Sequence, residues 1–195
     1  MPNHVWSLNL KTDAKFSVCR KYRYALWRSW DESKPYAMII GLNPSTADET
    51  ENDPTIIRCI NFAKSWSYGG VCVANLFAYR ATVPSDMKAS NEPIGTENDA
   101  WLYKLGKEAA ITVAAWGNDG SYLNRSGAIL GALLNLHCIK MNKSGEPAHP
   151  LYLKADLKPV PMEPNIEWNK APCLIGHNPP RPQAHPCGNV RTYWH

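Results

Sequence analysis

Tyr36-Ala-Met-Ile-Ile-Gly41, followed at once by Leu42-Asn-Pro-Ser-Thr46, is the stretch on which the fold turns. Six residues, nearly all apolar and without alternation, describe a strand covered on both faces, as in a parallel sheet. Asn43-Pro44 must leave the strand for a loop. Pro54 suits the first position of a helix with Asp53 as its cap, and Ile56, Ile57, Ile60 and Ala63 make an apolar stripe at helical spacing that stops before Gly69 and Gly70. Working outward, Val71-Cys-Val-Ala-Asn75 is a second buried strand, residues 97–110 a helix, Ile111-Thr-Val-Ala-Ala-Trp116 a third strand ended by Gly117, residues 121–136 an amphipathic helix and residues 137–141 a fourth strand. The loose alternation of residues 16–30 suits an antiparallel entry hairpin. The pattern predicts an α/β fold: three layers, α/β/α, with a central, mostly parallel, four-stranded sheet. Ligands of such sheets bind at the carboxyl edge of the strands.

The 195 residues suit one domain. It is expected over 1–154, hairpin included. Residues 155–195 carry Pro159, Pro161, Pro164, Pro172, Pro179, Pro180, Pro182 and Pro186 and read as an irregular extension. The longest apolar runs, 109–116 and 128–134, fall far short of the ~20 residues that cross a bilayer, and residues 1–11 resemble no targeting signal. A cytoplasmic monomer without a membrane span is expected. Six cysteines lie without pairing intervals, so no disulfide framework is expected. The net charge of +4 is modest, but Lys15, Arg20, Lys21, Arg23 and Arg28 are interleaved with aromatic residues. That segment suits a phosphate backbone or, equally, a solvated strand face.

Four polar signatures follow the four expected strands: Gly41-Leu-Asn-Pro-Ser45, Asn75-Leu-Phe77, Trp116-Gly-Asn118 and His149-Pro-Leu-Tyr-Leu153. In kind, order and spacing they resemble the uracil-DNA glycosylase superfamily over residues 36–153. More closely, residues 41–48, Asp53-Pro-Thr55, Asn75-Leu-Phe77 and 149–153 resemble the family catalogued as domain of unknown function 1643. The resemblance implies a monofunctional DNA glycosylase that flips a modified or damaged base and hydrolyses its N-glycosidic bond, leaving an abasic site. It implies DNA as partner and no cofactor or metal. One group that the chain resembles removes glucosylated hydroxymethylcytosine from phage DNA in antiviral defence. The alternative, from another class, is an inactive nucleic-acid or nucleotide-binding module of the same fold.

A base attacked in duplex DNA must be turned out and read in a pocket. Breaking its bond builds positive charge on the sugar and negative charge on the base, so a held water and a donor near the base oxygens are needed. By the resemblance, Asn43 positions the water and His149 donates to the leaving base. An amide cannot accept the water's proton, so Asp48 or Asp53 is expected to supply a carboxylate, capping being the other reading of Asp53. Asn75 is the base reader, its carboxamide offering donor and acceptor; the alternative is an Asn that ties two loops. Leu42, Phe77 and Tyr68 are further base contacts, and Trp66 and Tyr79 compete for stacking, with core packing as the other reading of all four aromatics. Ser45, Arg80, Pro150, Leu151 and Leu153 are placed against DNA, the two leucines as wedges or, equally, as packed loop residues. Gly69, Gly70, Ala74 and Ala78 are expected to make room for a bulky base. Cys173, His177, His185 and Cys187 suit zinc by type but not by spacing, and no metal site is expected.

Overall fold

The computed structural model describes residues 10–162. β3 (Tyr36–Gly41) runs through the middle of the sheet, its residues 37–40 no more than 1% exposed. Parallel to it on either side lie β4 (Gly70–Asn75) and β5 (Ile111–Ala114), and β6 (Leu136–Cys138) continues parallel beside β5. β2 (Arg23–Ser29) joins β4 antiparallel, β1 (Lys11–Phe16) joins β2 antiparallel, and β7 (Val160–Pro161) joins β6 antiparallel. The order is β1-β2-β4-β3-β5-β6-β7.

The expected four-stranded, mostly parallel sheet is therefore corrected to a mixed sheet of seven strands, with three parallel and three antiparallel pairings. The hairpin does not stand apart, because Leu26 pairs with Val73 and makes β2 an inner strand. Of the stretch read as irregular, residues 160–161 form β7. The tail's cysteines and histidines lie outside the described residues.

Alternation along the strands sends side chains to two cores. Ala37, Ile39, Val71, Val73 and Val113 meet Ile56, Cys59, Ile60 and Phe62 of α1 (Pro54–Ser65). Met38, Ile40, Cys72, Ala74 and Ala114 meet Met87 of α2 (Pro84–Ala89), Leu102 and Leu105 of α3 (Asn98–Glu108) and Ile129 of α4 (Arg125–Ala132). α1 starts as its sequence requires, with Pro54 in the first turn and Asp53 Oδ1 accepting from the Ile56 amide at 2.9 Å. The single helix expected over 121–136 is instead a 3-10 segment, Asn118–Asn124, and the shorter α4, separated where Leu123 and Asn124 turn to φ 52° and 53°. β5 stops at Ala114 and β6 at Cys138, earlier than expected, and α2 has no counterpart in the sequence reading.

Among the described residues no helix is long and apolar enough to cross a membrane. Cys59, Cys72 and Cys138 are buried free thiols.

Candidate functional site

β3, β4 and β5 end together, with Gly41 beside Asn75 and Ile40 beside Ala114. The chain reaches β4 through α1 on one face and returns to β5 through α2 and α3 on the other, so the loops after β3 and β5 part and leave a crevice. There a cleft of about 510 Å³ opens, within the usual range for small-ligand sites. Leu42, Asn43, Ser45 and Asp53 reach it from the loop after β3, Asn75 from the end of β4, Trp116, Gly117 and Asn118 from beyond β5, and His149, Pro150 and Tyr152 from the last loop.

The polar ends of these residues are oriented by their neighbours. Asn43 Nδ2 donates to the carbonyls of Ala81 at 2.8 Å and Pro44 at 3.1 Å. Both partners can only accept, which fixes the amide and leaves Oδ1 as an acceptor. Asp53 uses Oδ1 on the Ile56 amide, and Oδ2 meets no protein donor among the described residues. His149 Nδ1 accepts weakly from the Leu151 amide at 3.4 Å, so the neutral ring carries its proton on Nε2. Burial holds the His149 pKa below the usual histidine value, against the opposing pull of the Asp53 charge. The cleft thus presents a neutral imidazole donor, a carboxylate and an oriented amide oxygen.

Asn75 is 3% exposed. Its Oδ1 accepts from Arg23 Nη2 at 3.4 Å, and its backbone carbonyl and that of Leu76 each accept from Asn98 Nδ2 at 3.0 Å. Gly41 lets the Asn75 amide approach: a Cβ on Gly41 would stand 2.9 Å from Asn75 Nδ2. The His149 loop is fastened by a buried carboxylate, Glu146, which accepts from Trp116 Nε1 at 2.6 Å and from Ser126 Oγ at 2.8 Å. The Gly117 amide donates to Pro147 O at 2.8 Å. Trp116, a signature residue of the sequence, is thus a strut at 1% exposure.

Of the residues singled out in the sequence, Leu42, Asn43, Ser45, Asp53, Asn75, His149 and Pro150 come together, and others do not. Asp48 closes a turn, its Oδ1 accepting from the Glu51 and Thr50 amides at 2.9 Å each, which lower its pKa, the Glu51 bond most. Phe77 is fully buried in the core against Tyr122. Tyr68 precedes β4 and lies at the opposite end of the strand, its carbonyl accepting from Trp30 Nε1 at 3.0 Å. Arg80 lies over the Phe16 ring, 5.0 Å from its centroid. Leu151 is half-buried and lends its amide to His149, and Leu153 packs on the α1 core with its carbonyl held by Arg58. Trp66 stacks on Phe62, and Tyr79 meets Tyr22 edge-on. Gly69, Gly70, Ala74 and Ala78 line none of the cleft; they serve close packing, and the room expected of them is not there.

Two residues missed in the sequence belong to the site. Tyr152, 87% exposed, is the large apolar surface that the last loop offers at the cleft, in place of the two leucines. Arg23 lines the cleft yet is 2% exposed, and Arg28 is wholly buried, holding Asn52 Oδ1 at 2.8 Å and Asp48 O at 2.7 Å. Neither can lie along a phosphate backbone. The signal for both was their place at the ends of the apolar run Tyr24-Ala-Leu-Trp27, which marks an inner strand.

A family model described as a protein of unknown function, DUF1643, matches residues 23–151. Searches of curated proteins and of solved structures returned no match.

Proposed function

Since the chain belongs to the DUF1643 family, whose match runs from Arg23 past His149, we propose that this cleft is a base-excision site: it takes a nucleotide turned out of DNA and hydrolyses its N-glycosidic bond, leaving an abasic site. The fold is read accordingly as a three-layer, uracil-DNA-glycosylase-like architecture, the parallel strands β4-β3-β5-β6 forming its centre. The observation that carries the reading is the convergence of Asn43, Asp53 and His149 with Asn75 in one cleft of about 510 Å³.

Each group has a task in that reaction. Asn43 Oδ1 accepts from the attacking water and aims it. The free oxygen of Asp53 takes the proton that an amide cannot, a reading supported by its place in the cleft and by the turn that occupies Asp48 Oδ1. His149 Nε2 donates to an oxygen of the departing base. Asn75 faces the base edge, and Tyr152 is placed to fill the stack where the base has left.

The test is single-turnover incubation with DNAs containing uracil, hydroxymethylcytosine or glucosylated hydroxymethylcytosine, with mass spectrometry of released bases and alkaline cleavage of the strand. Base release and alkali-labile sites are expected with at least one modified DNA. A salt-sensitive mobility shift on every DNA with no base released would overturn the enzymatic reading and leave a binding module.

A further inference from the structure

Burying a charge without a partner is unfavourable, and the chain solves that problem differently at three buried arginines. Arg125, 4% exposed, pairs with Asp99. Arg28 donates to Asn52 Oδ1 and to the carbonyls of Trp27, Asp48 and Glu51. Arg23, the one of the three that lines the cleft, has only two bonds among the described residues: Nη1 to Ala47 O at 2.8 Å and the long Nη2 contact to Asn75 Oδ1 at 3.4 Å. Both acceptors are neutral. A guanidinium has five N–H donors, so three remain unspent, among them the buried Nε, which has no partner.

No carboxylate forms an ion pair with Arg23 among the described residues. Asp53 acts on it only at longer range, and Arg80 and Arg28 add like charge. Desolvation outweighs the rest and draws its pKa down to about 10, which leaves it a cation at neutral pH. A desolvated cation facing a cleft is a place where an anion binds far more strongly than in water.

We propose that Arg23 is the anion-binding residue of the cleft and holds the departing base as its anion. The inference rests on the base-excision reading. As the bond from the anomeric carbon to the base nitrogen breaks, its electron pair stays on the base, and a base oxygen accepts from the Arg23 guanidinium. The water oxygen bonds to the anomeric carbon, its proton passes to the Asp53 carboxylate, and the same proton returns to the base as it leaves. One water is consumed and a neutral base is released. Arg23 also engages Asn75 Oδ1, so the amide nitrogen of Asn75 is the end turned to the ligand, and the two residues together offer a base edge donors only.

The test uses 5-nitrouracil, an acidic pyrimidine whose ultraviolet spectrum reports its ionisation, titrated with the parent protein, Arg23→Lys and Arg23→Gln. Circular dichroism and melting establish that each is folded. A full positive charge in contact should lower the bound probe's pKa by about one unit or more, a preference for the anion of at least about tenfold. Arg23→Lys should keep most of it, and Arg23→Gln, which keeps donors but no charge, should lose it. Failure of the parent to bind the probe, equal binding of both ionisation states by the parent, or a folded Arg23→Gln with the parental preference would each overturn the proposal. Base release from DNA is measured in parallel. Anion preference without base release would overturn the enzymatic reading and spare Arg23 as an anion site, whereas base release without anion preference would overturn the role given to Arg23.

Discussion

The two ends of β4 have opposite designs. At its carboxyl end Asn75 stands among Asn43, Asp53, Arg23 and His149, with polar atoms left unspent on a cleft. At its amino end Gly69 and Gly70 are clamped: the Gly69 carbonyl accepts from the amides of Trp30 and Asp31 at 2.9 and 3.0 Å, and a Cβ there would lie 1.9 Å from Asp31 O. One end leaves polar atoms open to a cleft and the other is closed by backbone. Tyr68 and Asn75 are close neighbours in sequence, but a strand rises about 3.3 Å per residue, so roughly 20 Å of sheet separates them. Proximity to a motif along the chain says little about a site when the strand between runs straight.

The largest effects should confine chemistry to the carboxyl end. Asn43→Ala and His149→Ala should each lower single-turnover base release by about a hundredfold, since each removes a preorganised polar group. Tyr68→Ala and Leu153→Ala should release base at the parental rate. Loss of activity on replacing Tyr68, with Asn43→Ala unaffected, would show the two ends to be assigned in reverse.

Adding one methyl group at each end sharpens the contrast. Gly69→Ala meets backbone, Asp31 O at 1.9 Å and Lys34 O at 2.9 Å, together with Lys34 Cβ at 2.8 Å, and should destabilise by about 1–3 kcal/mol in urea melts while each folded molecule keeps its activity. Gly41→Ala meets only the far end of the Asn75 side chain at 2.9 Å, which can swing away. Stability should change by less than about 1 kcal/mol, while discrimination between bases fails. Equal stability losses in the two variants would mean that the Asn75 amide is as rigid as backbone.

Much of the carboxyl end was legible in the sequence because its signatures are loops after buried strands, and Asn43, Asp53, Asn75 and His149 fall there by topology alone. What was not legible depended on contacts between distant segments. Arg23 and Arg28 looked like a basic surface because the apolar run between them, though it marks an inner strand, does not say that β4 is its partner. Phe77 reads as a stacking residue until the helices close over it, and Asp48 as a base until its turn consumes it. The outer strand β7 was missed for a related reason: it is two residues long and one of them is proline.

The support of the last loop should give a smaller effect. Glu146→Ala leaves the Trp116 indole N–H and the Ser126 hydroxyl without their acceptor, at a cost of about 1–3 kcal/mol, and base release should fall by less than in His149→Ala because the imidazole is still present. Urea melts and single-turnover rates of the two variants make the comparison. A Glu146→Ala protein as inactive as His149→Ala would assign the carboxylate a direct part in the reaction.

The smallest effect is a pH dependence that belongs to the cleft alone. His149 has its pKa lowered, by burial first, and its Nδ1 accepts the Leu151 amide, so protonation at that nitrogen would set N–H against N–H. The folded protein therefore binds this proton less readily than the unfolded chain, whose histidines titrate near 6.5. Stability from the neutral ring is fully present above about pH 6.5 and is lost as pH falls through the lower folded-state value. Asp48 also has a lowered pKa, through the Glu51 and Thr50 amides, so its own contribution is lost in a more acidic window, below the ordinary carboxylate range. Urea melts of the parent and His149→Asn from pH 8 to pH 5 should run parallel above about pH 7 and converge below it, the parent losing stability that the variant never had. Base release by the parent should decline in the same window, because the protonated ring loses its bond to Leu151 and its orientation in the cleft. Two stability curves that stay parallel to pH 5 would mean that the imidazole is free to take its proton, and the neutral donor assigned to the leaving base would have to be sought elsewhere.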